Sequence, residues 1–169
     1  MTIVFTPLRE EDVLLVERWL KEEHVARWWR EPVEEAIEKR YAGIEGRRPT
    51  RQFLIVLDGR PAGLIQTYRV EDHPDWQRLV QVGDHVAGVD LLIGEPDLVG
   101  RGLGPAVLTE FVRSVVFADP EIAAVVATVE EPNRRSWRAF EKAGFRHVRD
   151  VEEDGLPHRL MRLERRYAQ

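Results

Sequence analysis

The chain has 169 residues, a formal net charge of −5 and no cysteine. Its length suits one domain with a sizeable core, and the missing cysteine excludes disulfides, thiolate metal sites and a cysteine nucleophile. The negative charge argues against a nucleic-acid partner and permits a cationic substrate. Residues 1–7 do not resemble a signal peptide, and no apolar run reaches the roughly 20 residues that span a bilayer. We therefore expect a cytoplasmic protein with no membrane partner.

The periodicity of apolar residues predicts a single α/β domain over residues 1–169. Alternating or β-branched runs predict strands at residues 2–8, 52–57, 61–70, 86–94, 122–129, 145–151 and 159–163. Apolar residues at helical spacing predict helices at residues 10–21, 32–43, 105–116 and 133–143. Asp58-Gly59 is typical of a two-residue hairpin turn, and residues 71–83 are expected to form a polar connection. The elements alternate as expected for a mixed sheet flanked by helices.

Three glycines lie within five residues at Gly100, Gly102 and Gly104, between an apolar strand and an amphipathic helix. Glycine permits the backbone to approach a ligand closely, and a helix N-terminus offers unpaired N–H groups at the positive end of its dipole. This arrangement predicts an anion site suited to a pyrophosphate. The alternative is a turn whose glycines serve only to adopt positive φ. No Gly-Lys-Ser/Thr follows, so the motif is not a P-loop.

A second motif, Asn-Arg-Arg-Ser-Trp-Arg-Ala-Phe-Glu-Lys-Ala-Gly-Phe, spans residues 133–145. Together the two motifs resemble those of the GNAT superfamily of acetyl-CoA-dependent N-acyltransferases. The resemblance implies a GNAT fold, with about six to seven strands flanked by about four helices, and acetyl-CoA as co-substrate. It also implies that strand backbone pairs with the pantetheine arm, that turn amides hold the pyrophosphate, and that an asparagine contacts the arm. The implied cofactor-binding residues are Leu92, Ile93, Gly94, Val99, Gly100, Arg101, Gly102, Leu103, Gly104 and Asn133.

Three positions depart from the superfamily pattern. Val99 replaces the usual Arg or Gln, and Pro105, expected to be the first helical residue, has no N–H to donate. Phe140 stands where many members have a Tyr that protonates the leaving thiolate. A phenyl ring cannot donate that proton. Water or another group supplies it, or the thiolate of a thiol with a pKa near 8.5 leaves with little help.

Within the superfamily, residues 24–29, 63–68 and 88–93 resemble segments of aminoglycoside 6′-N-acetyltransferases. This resemblance implies transfer of acetyl to the 6′-amine of an antibiotic, with resistance as the role. It places Asp90 against that amine as the catalytic carboxylate. The implied substrate-binding residues are Trp28, Trp29, Gln66, Tyr68 and Asp90. Both tryptophans also fit a plain core role, whereas a site role would let an indole stack on a sugar or face an ammonium.

Asp90 attracts attention on physical grounds as well, because it interrupts an apolar strand where an unpaired carboxylate is costly. A protonated amine must lose a proton before it attacks a thioester, and a nearby carboxylate can accept that proton. Strand N–H groups near Leu92 can stabilise the oxyanion. Because the chain has no cysteine and no recognisable Ser-His-Asp arrangement, we expect no covalent acyl-enzyme, and acetyl should pass directly to the amine in a ternary complex. Seven carboxylates in residues 71–97 and a second acidic cluster at residues 150–154 fit either a polycationic substrate or solvated loops.

Several alternatives stay open. A siderophore-type N-acyltransferase acts on a hydroxylamine but usually has a His where this chain has Asp90. A ribosomal-protein N-terminal acetyltransferase would need an open groove, and a degenerate acetyl-CoA-binding sensor would need no acceptor site at all. Trp76 and His85 are candidates for a flap over the site. The five histidines lack metal-ligand spacing, so we expect no metal.

Overall fold

The computed structural model describes residues 1–168 and contains seven strands and six α-helices in that range. The strands are β1 Ile3–Pro7, β2 Arg51–Leu57, β3 Arg60–Arg69, β4 Val86–Ile93, β5 Ala124–Glu130, β6 Arg146–Glu153 and β7 Leu156–Glu164. The helices are α1 Val13–Leu20, α2 Glu23–Ala26, α3 Val33–Ile44, α4 Pro74–Val80, α5 Leu103–Phe111 and α6 Arg134–Lys142. The strands form one mixed sheet in the order β1-β2-β3-β4-β5-β7-β6. The predicted α/β class is confirmed.

The chain divides into two compact units. The first consists of Met1–Thr67 and Asp90–Arg101, and the second of Tyr68–Val89 and the chain from Gly102 onward. The prediction of a single domain over residues 1–169 stays a prediction. Within residues 1–168, no helix has both the length and the apolar character that crossing a membrane requires.

In the first unit, β1 pairs antiparallel with β2, and β2 turns into β3 at Asp58-Gly59. Both turn residues have positive φ, 48° and 82°, as the hairpin prediction required. Helix α1 buries Val13, Val16 and Trp19 on one stripe. Its apolar partners come from α3 and the sheet. The core consists of Leu8, Val16, Trp19, Leu20, Val25, Ala36, Leu54, Leu64 and Leu92.

In the second unit, the first residues of β4 pair parallel with β5, and β5 and β6 pair antiparallel with β7. The polar connection expected over residues 71–83 is wrong, because α4 lies within it. Pro74 begins this helix, and Val80 and the half-buried Trp76 pack into the core of the unit. The expected start of α5 at Pro105 is also wrong. The helix begins at Leu103, and Pro105 is tolerated there because the first helical N–H groups have no intrahelical acceptor.

Candidate active site

The glycine turn leads from the end of β4 into α5. Gly100 and Gly102 have φ values of 77° and 73°, a region that L side chains rarely adopt, and Gly102 is the residue at which α5 is capped. The Arg101 guanidinium donates from Nε to the Asp97 carbonyl oxygen at 2.7 Å, which closes the turn. The N–H groups of the first turn of α5 have no intrahelical partner. The backbone of the turn is therefore suited to hold an anionic group.

Gly104 is the third glycine of the turn and lies inside α5. A Cβ at this position would lie 3.1 Å from Cβ of Ala139 in α6, so Gly104 permits the close packing of these two helices. Among the expected cofactor-binding residues Val99 to Gly104, Gly100 and Gly102 shape the exposed backbone of the turn, and Gly104 lets α5 pack against α6. Val99 and Leu103 are half-buried and continue the chain on either side of the exposed residues 100–102.

Leu92 and Ile93 end β4 and Gly94 follows the strand; these are the three residues expected to pair with a pantetheine arm. The Gly94 N–H donates to the Ala62 carbonyl at 2.8 Å, so this group is already engaged in the first unit and is not available to a ligand. The Ile93 carbonyl accepts a hydrogen bond from Nε2 of His24 at 2.9 Å. The Leu92 side chain is buried in the core. A Cβ on Gly94 would overlap the Trp19 ring, so a glycine is needed here for packing.

Asn133 caps α6 in the second unit. Its Oδ1 accepts a hydrogen bond from the Ser136 N–H at 3.4 Å, which accounts for the asparagine at this position without a ligand. Phe140, on the same helix, is buried and packs edge-on against Phe145 with ring centroids 5.0 Å apart. The structure therefore gives Phe140 an apolar packing role, in keeping with its inability to donate a proton.

Asp90 lies half-buried in β4 and contacts Gln66, another residue expected at the acceptor site. The Gln66 amide donates from Nε2 to Oδ2 of Asp90 at 2.9 Å. Gln66 is only 4% exposed and lies opposite Gln52 in the β2–β3 register. Gln52 in turn donates from Nε2 to the carbonyl of Arg40 in α3 at 3.0 Å. We call these four residues, Gln52, Gln66, Asp90 and Arg40, the buried polar row.

The two tryptophans that follow α2 are both half-buried. Trp29 packs against the core of the first unit, and its Nε1 donates to Glu31 at 2.9 Å. Glu31 also accepts from Nζ of Lys39 at 2.5 Å. Burial raises the pKa of Glu31, but the hydrogen bonds from Lys39 and Trp29 outweigh it, so the pKa lies below its ordinary value of 4.5. Trp29 therefore has the core role that the sequence left open, and its N–H is engaged by protein.

Most carboxylates of residues 71–97 have partners of their own within their unit. Four form ion pairs with arginines: Glu71 with Arg69, Asp75 with Arg78, Glu95 with Arg18, and Asp97 with Arg60. The Asp97 pair is bidentate, at 2.8 and 2.9 Å. These contacts are at or near the surface, where such pairs contribute little to stability. The count of acidic residues in this stretch therefore overstates the negative charge offered to a substrate.

The second unit contains a cluster that the sequence did not indicate. Glu153 in β6 accepts hydrogen bonds from Nε1 of Trp76 and Oγ1 of Thr128, each at 3.0 Å, and lies 3.3 Å from Nε2 of His158. Tyr68, another expected substrate-binding residue, packs edge-on against Trp76 with centroids 5.6 Å apart. Trp76 is thus tied to the sheet. A flap formed by Trp76 and His85 stays a prediction.

The Tyr68 ring can pack against β4 because residue 88 of that strand is a glycine. A Cβ on Gly88 would lie 2.5 Å from the Tyr68 ring. His85, by contrast, is exposed in a positive-φ conformation, and its backbone N–H donates to Glu71 at 3.0 Å. Within residues 1–168, no three His, Asp or Glu side chains are grouped in a way that would hold a metal ion.

Comparison with known proteins adds three findings. The family model for the acetyltransferase (GNAT) domain matches residues 9–153. An aminoglycoside N(6′)-acetyltransferase type 1 from Klebsiella pneumoniae is 28% identical over 148 residues, which cover 82% of this chain and 71% of the relative. The crystal structure of aminoglycoside acetyltransferase AAC(6′)-Ib with coenzyme A and kanamycin superposes with a TM-score of 0.87 at 25% identity, covering 98% of this chain and 96% of that one.

A further relative bears on the acceptor. An N(6)-hydroxylysine O-acetyltransferase from Escherichia coli is 23% identical over 154 residues, or 86% of this chain, but the match covers only 45% of that relative.

Proposed function

Because the chain belongs to the GNAT acetyltransferase family, we propose that it transfers acetyl from acetyl-CoA to the 6′-amine of an aminoglycoside. The observation that carries this proposal is Asp90, a carboxylate held by Gln66 inside a strand, at the position that the sequence resemblance assigns to the amine-contacting Asp. The similarity to an aminoglycoside 6′-acetyltransferase over 82% of the chain supports the same acceptor. Resistance to aminoglycosides is the corresponding role.

Acetyl-CoA is the co-substrate in this proposal. The backbone amides of residues 99–104 bind the pyrophosphate, and the positive φ of Gly100 and Gly102 and the start of α5 support this placement. The pantetheine arm pairs with backbone groups of Leu92 and Ile93 other than the Ile93 carbonyl, which already accepts from His24, and the Gly94 N–H already donates to Ala62. The known structure that contains coenzyme A and shares this fold is consistent with this use of acetyl-CoA.

The acceptor amine is deprotonated beside Asp90. Its neutral nitrogen attacks the thioester carbonyl to give a tetrahedral intermediate. The C–S bond then breaks, the coenzyme A thiolate leaves, and the nitrogen loses its second proton to solvent as the amide forms. Gln66 fixes the Asp90 carboxylate by a 2.9 Å hydrogen bond, which orients the group that accepts the amine proton. Backbone N–H groups near Leu92 stabilise the oxyanion. Phe140 takes no part in returning a proton to the thiolate.

The test is thiol release from acetyl-CoA with kanamycin, with a hydroxylysine derivative, and with no acceptor. We expect turnover with kanamycin at least tenfold above the other two reactions, and mass spectrometry should place the acetyl group on the 6′-nitrogen. Thiol release that is equal with and without acceptor would contradict the proposal and leave a cofactor-binding module.

A second candidate is acylation of a hydroxylamine on a lysine-like chain. The similarity to a hydroxylysine O-acetyltransferase over 86% of this chain favours it. In this reaction the neutral hydroxylamine does not need a carboxylate to remove a proton before it attacks. Faster turnover with hydroxylysine than with kanamycin would select this candidate.

A further inference from the structure

Arg159 in β7 has two close partners at the connection between β5 and α6. Its Nε and Nη2 donate to the two carboxylate oxygens of Glu131 at 2.7 and 2.9 Å, and its Cζ lies 3.8 Å from the centre of the Trp137 ring. Arg159 lies opposite Val129 in the β5–β7 register, and Glu131 comes two residues after Val129, the spacing of side chains on one face of a strand. A bidentate pair fixes direction as well as distance, so Arg159 holds the residue that follows β5 in one orientation.

The backbone of Glu131 is held as firmly as its carboxylate. Its N–H donates to the Pro157 carbonyl at 3.0 Å, and its carbonyl accepts from Nε1 of Trp137 at 3.0 Å. The indole therefore joins α6 to the connection, and the Arg159 guanidinium covers the ring, to which a cation is attracted. The hydrogen bonds from Arg159 also hold the pKa of Glu131 below its ordinary value of 4.5. We call these three residues, Glu131, Trp137 and Arg159, the α6 clamp.

The α6 clamp lies directly beside Asn133, the residue that the sequence resemblance assigns to the pantetheine arm. The Asn133 N–H donates to the Glu130 carbonyl at 2.9 Å, and the Asn133 carbonyl accepts from the Trp137 N–H at 3.2 Å. Its backbone is thus bound to one residue of the clamp and to the neighbour of another. Its Oδ1 caps α6, so Nδ2 is the side-chain group that can donate to a ligand.

The topology of the second unit brings the start of α6 to the edge of the sheet where α5 starts. β4 pairs parallel with β5, and β5 and β6 both pair antiparallel with β7, so β5 and β6 run in the same direction. Helices α5 and α6 each connect two strands of the same direction, so both run back along the sheet and begin at the same edge. The helices touch, since a Cβ on Gly104 would lie 3.1 Å from Cβ of Ala139. Asn133 therefore begins its helix at the same edge as the start of α5, which is proposed to bind the pyrophosphate.

We infer that Arg159 is a positioning residue for acetyl-CoA, which fixes Glu131 and Trp137 so that Asn133 meets the pantetheine arm. Without the guanidinium, the connection between β5 and α6 loses its bidentate pair and the cover of the indole, and Asn133 is free to shift. This inference rests on the use of acetyl-CoA in the proposed function and holds for either candidate acceptor.

The test measures Kd for acetyl-CoA by calorimetry with no acceptor present. Arg159→Met removes the guanidinium and keeps an unbranched stem over the indole, and we expect it to raise Kd about tenfold or more. Arg162→Met is the matched control. Arg162 lies on the same strand, donates from Nε to Glu164 at 2.8 Å, and has a side chain that is 24% exposed, against 21% for Arg159. Its loss should leave Kd within about twofold of wild type.

Coupling to Asn133 separates positioning from a general loosening of the fold. Asn133→Ser removes the amide and keeps a good helix cap, and in that background Arg159→Met should raise Kd less than about twofold. Wild-type Kd in Arg159→Met, an equal loss in Arg162→Met, or a loss that persists in full beside Asn133→Ser would overturn the inference. If Arg159→Met does not fold, Arg159→Gln replaces it under the same criteria. Failure of the proposed function is distinct, because the wild type itself would then not bind acetyl-CoA, and both proposals would be contradicted together.

Discussion

The glycine turn and the buried polar row, the two regions proposed to bind charged groups, are built in opposite ways. In the turn, residues 100–102 are exposed and the proposed binding groups are backbone amides, whose direction depends on positive φ at two glycines. In the polar row, the side chains of Gln52, Gln66 and Asp90 come from three strands, and Gln52 donates to the Arg40 backbone of α3; Gln66 and Arg40 are almost fully buried. The turn should therefore be sensitive to backbone conformation, and the polar row to the charge and hydrogen bonding of individual side chains.

The largest effect is expected from neutralising the carboxylate of the polar row. Asp90→Asn should lower kcat/KM for an aminoglycoside by about 10²-fold or more, the range for removal of a general base. The amide is nearly isosteric, so the Tm and the Kd for acetyl-CoA should stay close to wild type. Side-by-side calorimetry, thermal unfolding and steady-state kinetics measure all three.

Asp97→Asn is the matched control for this prediction. It removes a carboxylate in the same unit that is paired with Arg60 at the surface, and it should leave kcat/KM within twofold. If Asp90→Asn instead lowers the Tm strongly while each folded molecule keeps its activity, Asp90 is a structural residue and the contrast between the two regions disappears.

The turn should respond to backbone strain alone. Gly102→Val places a β-branched residue at φ 73°, although no atom lies within 4 Å of its Cβ. Such strain costs about 1–3 kcal/mol, so the turn should relax and weaken acetyl-CoA binding about tenfold or more. Gly46→Val carries the same strain at φ 74° with the same open surroundings, outside the turn. Calorimetric titration should find its Kd unchanged, and an equal loss in both variants would remove the turn from the cofactor site.

The smallest effect concerns stability near the polar row. The folded-state pKa of Glu31 lies below its ordinary value of 4.5, so its contribution to stability is fully present above that pH and is lost as pH falls through the folded value. Wild type should exceed Glu31→Gln in Tm by a few degrees at pH 7, and the gap should close below pH 4.5. Thermal unfolding at several pH values checks this. Glu38→Gln, an exposed position on α3, should show no such gap.

Features set by neighbouring residues were predictable from the sequence. The Asp58-Gly59 hairpin and the glycine turn depend on local backbone chemistry, and each is found where it was predicted. Helix α4 was missed because it is only seven residues long: Trp76, Leu79 and Val80 have helical spacing, but one such set falls short of the longer window that establishes a helical period against a polar background.

Features set by distant residues were not predictable. Arg40 follows Ala36 by four residues, on the buried stripe of α3, but its charged side chain predicts exposure. Its burial, to 1% exposed, is shown only by the folded structure. The number of carboxylates in residues 71–97 overstated the negative charge of the site for the same reason. The arginines that pair with Glu95 and Asp97 lie 77 and 37 residues away along the chain.

The contact between Gly94 and Trp19 links the inside of the first unit to the strand end proposed to bind the cofactor arm. The indole occupies the volume that any side chain at position 94 would need, because even a single Cβ there would overlap the ring. The side chains at positions 19 and 94 therefore share one fixed volume, so neither residue can be replaced by a larger one alone. A library that randomises both together should return pairs whose summed volume is conserved, so that a substitution of Trp19 on α1 is accompanied by a change at residue 94.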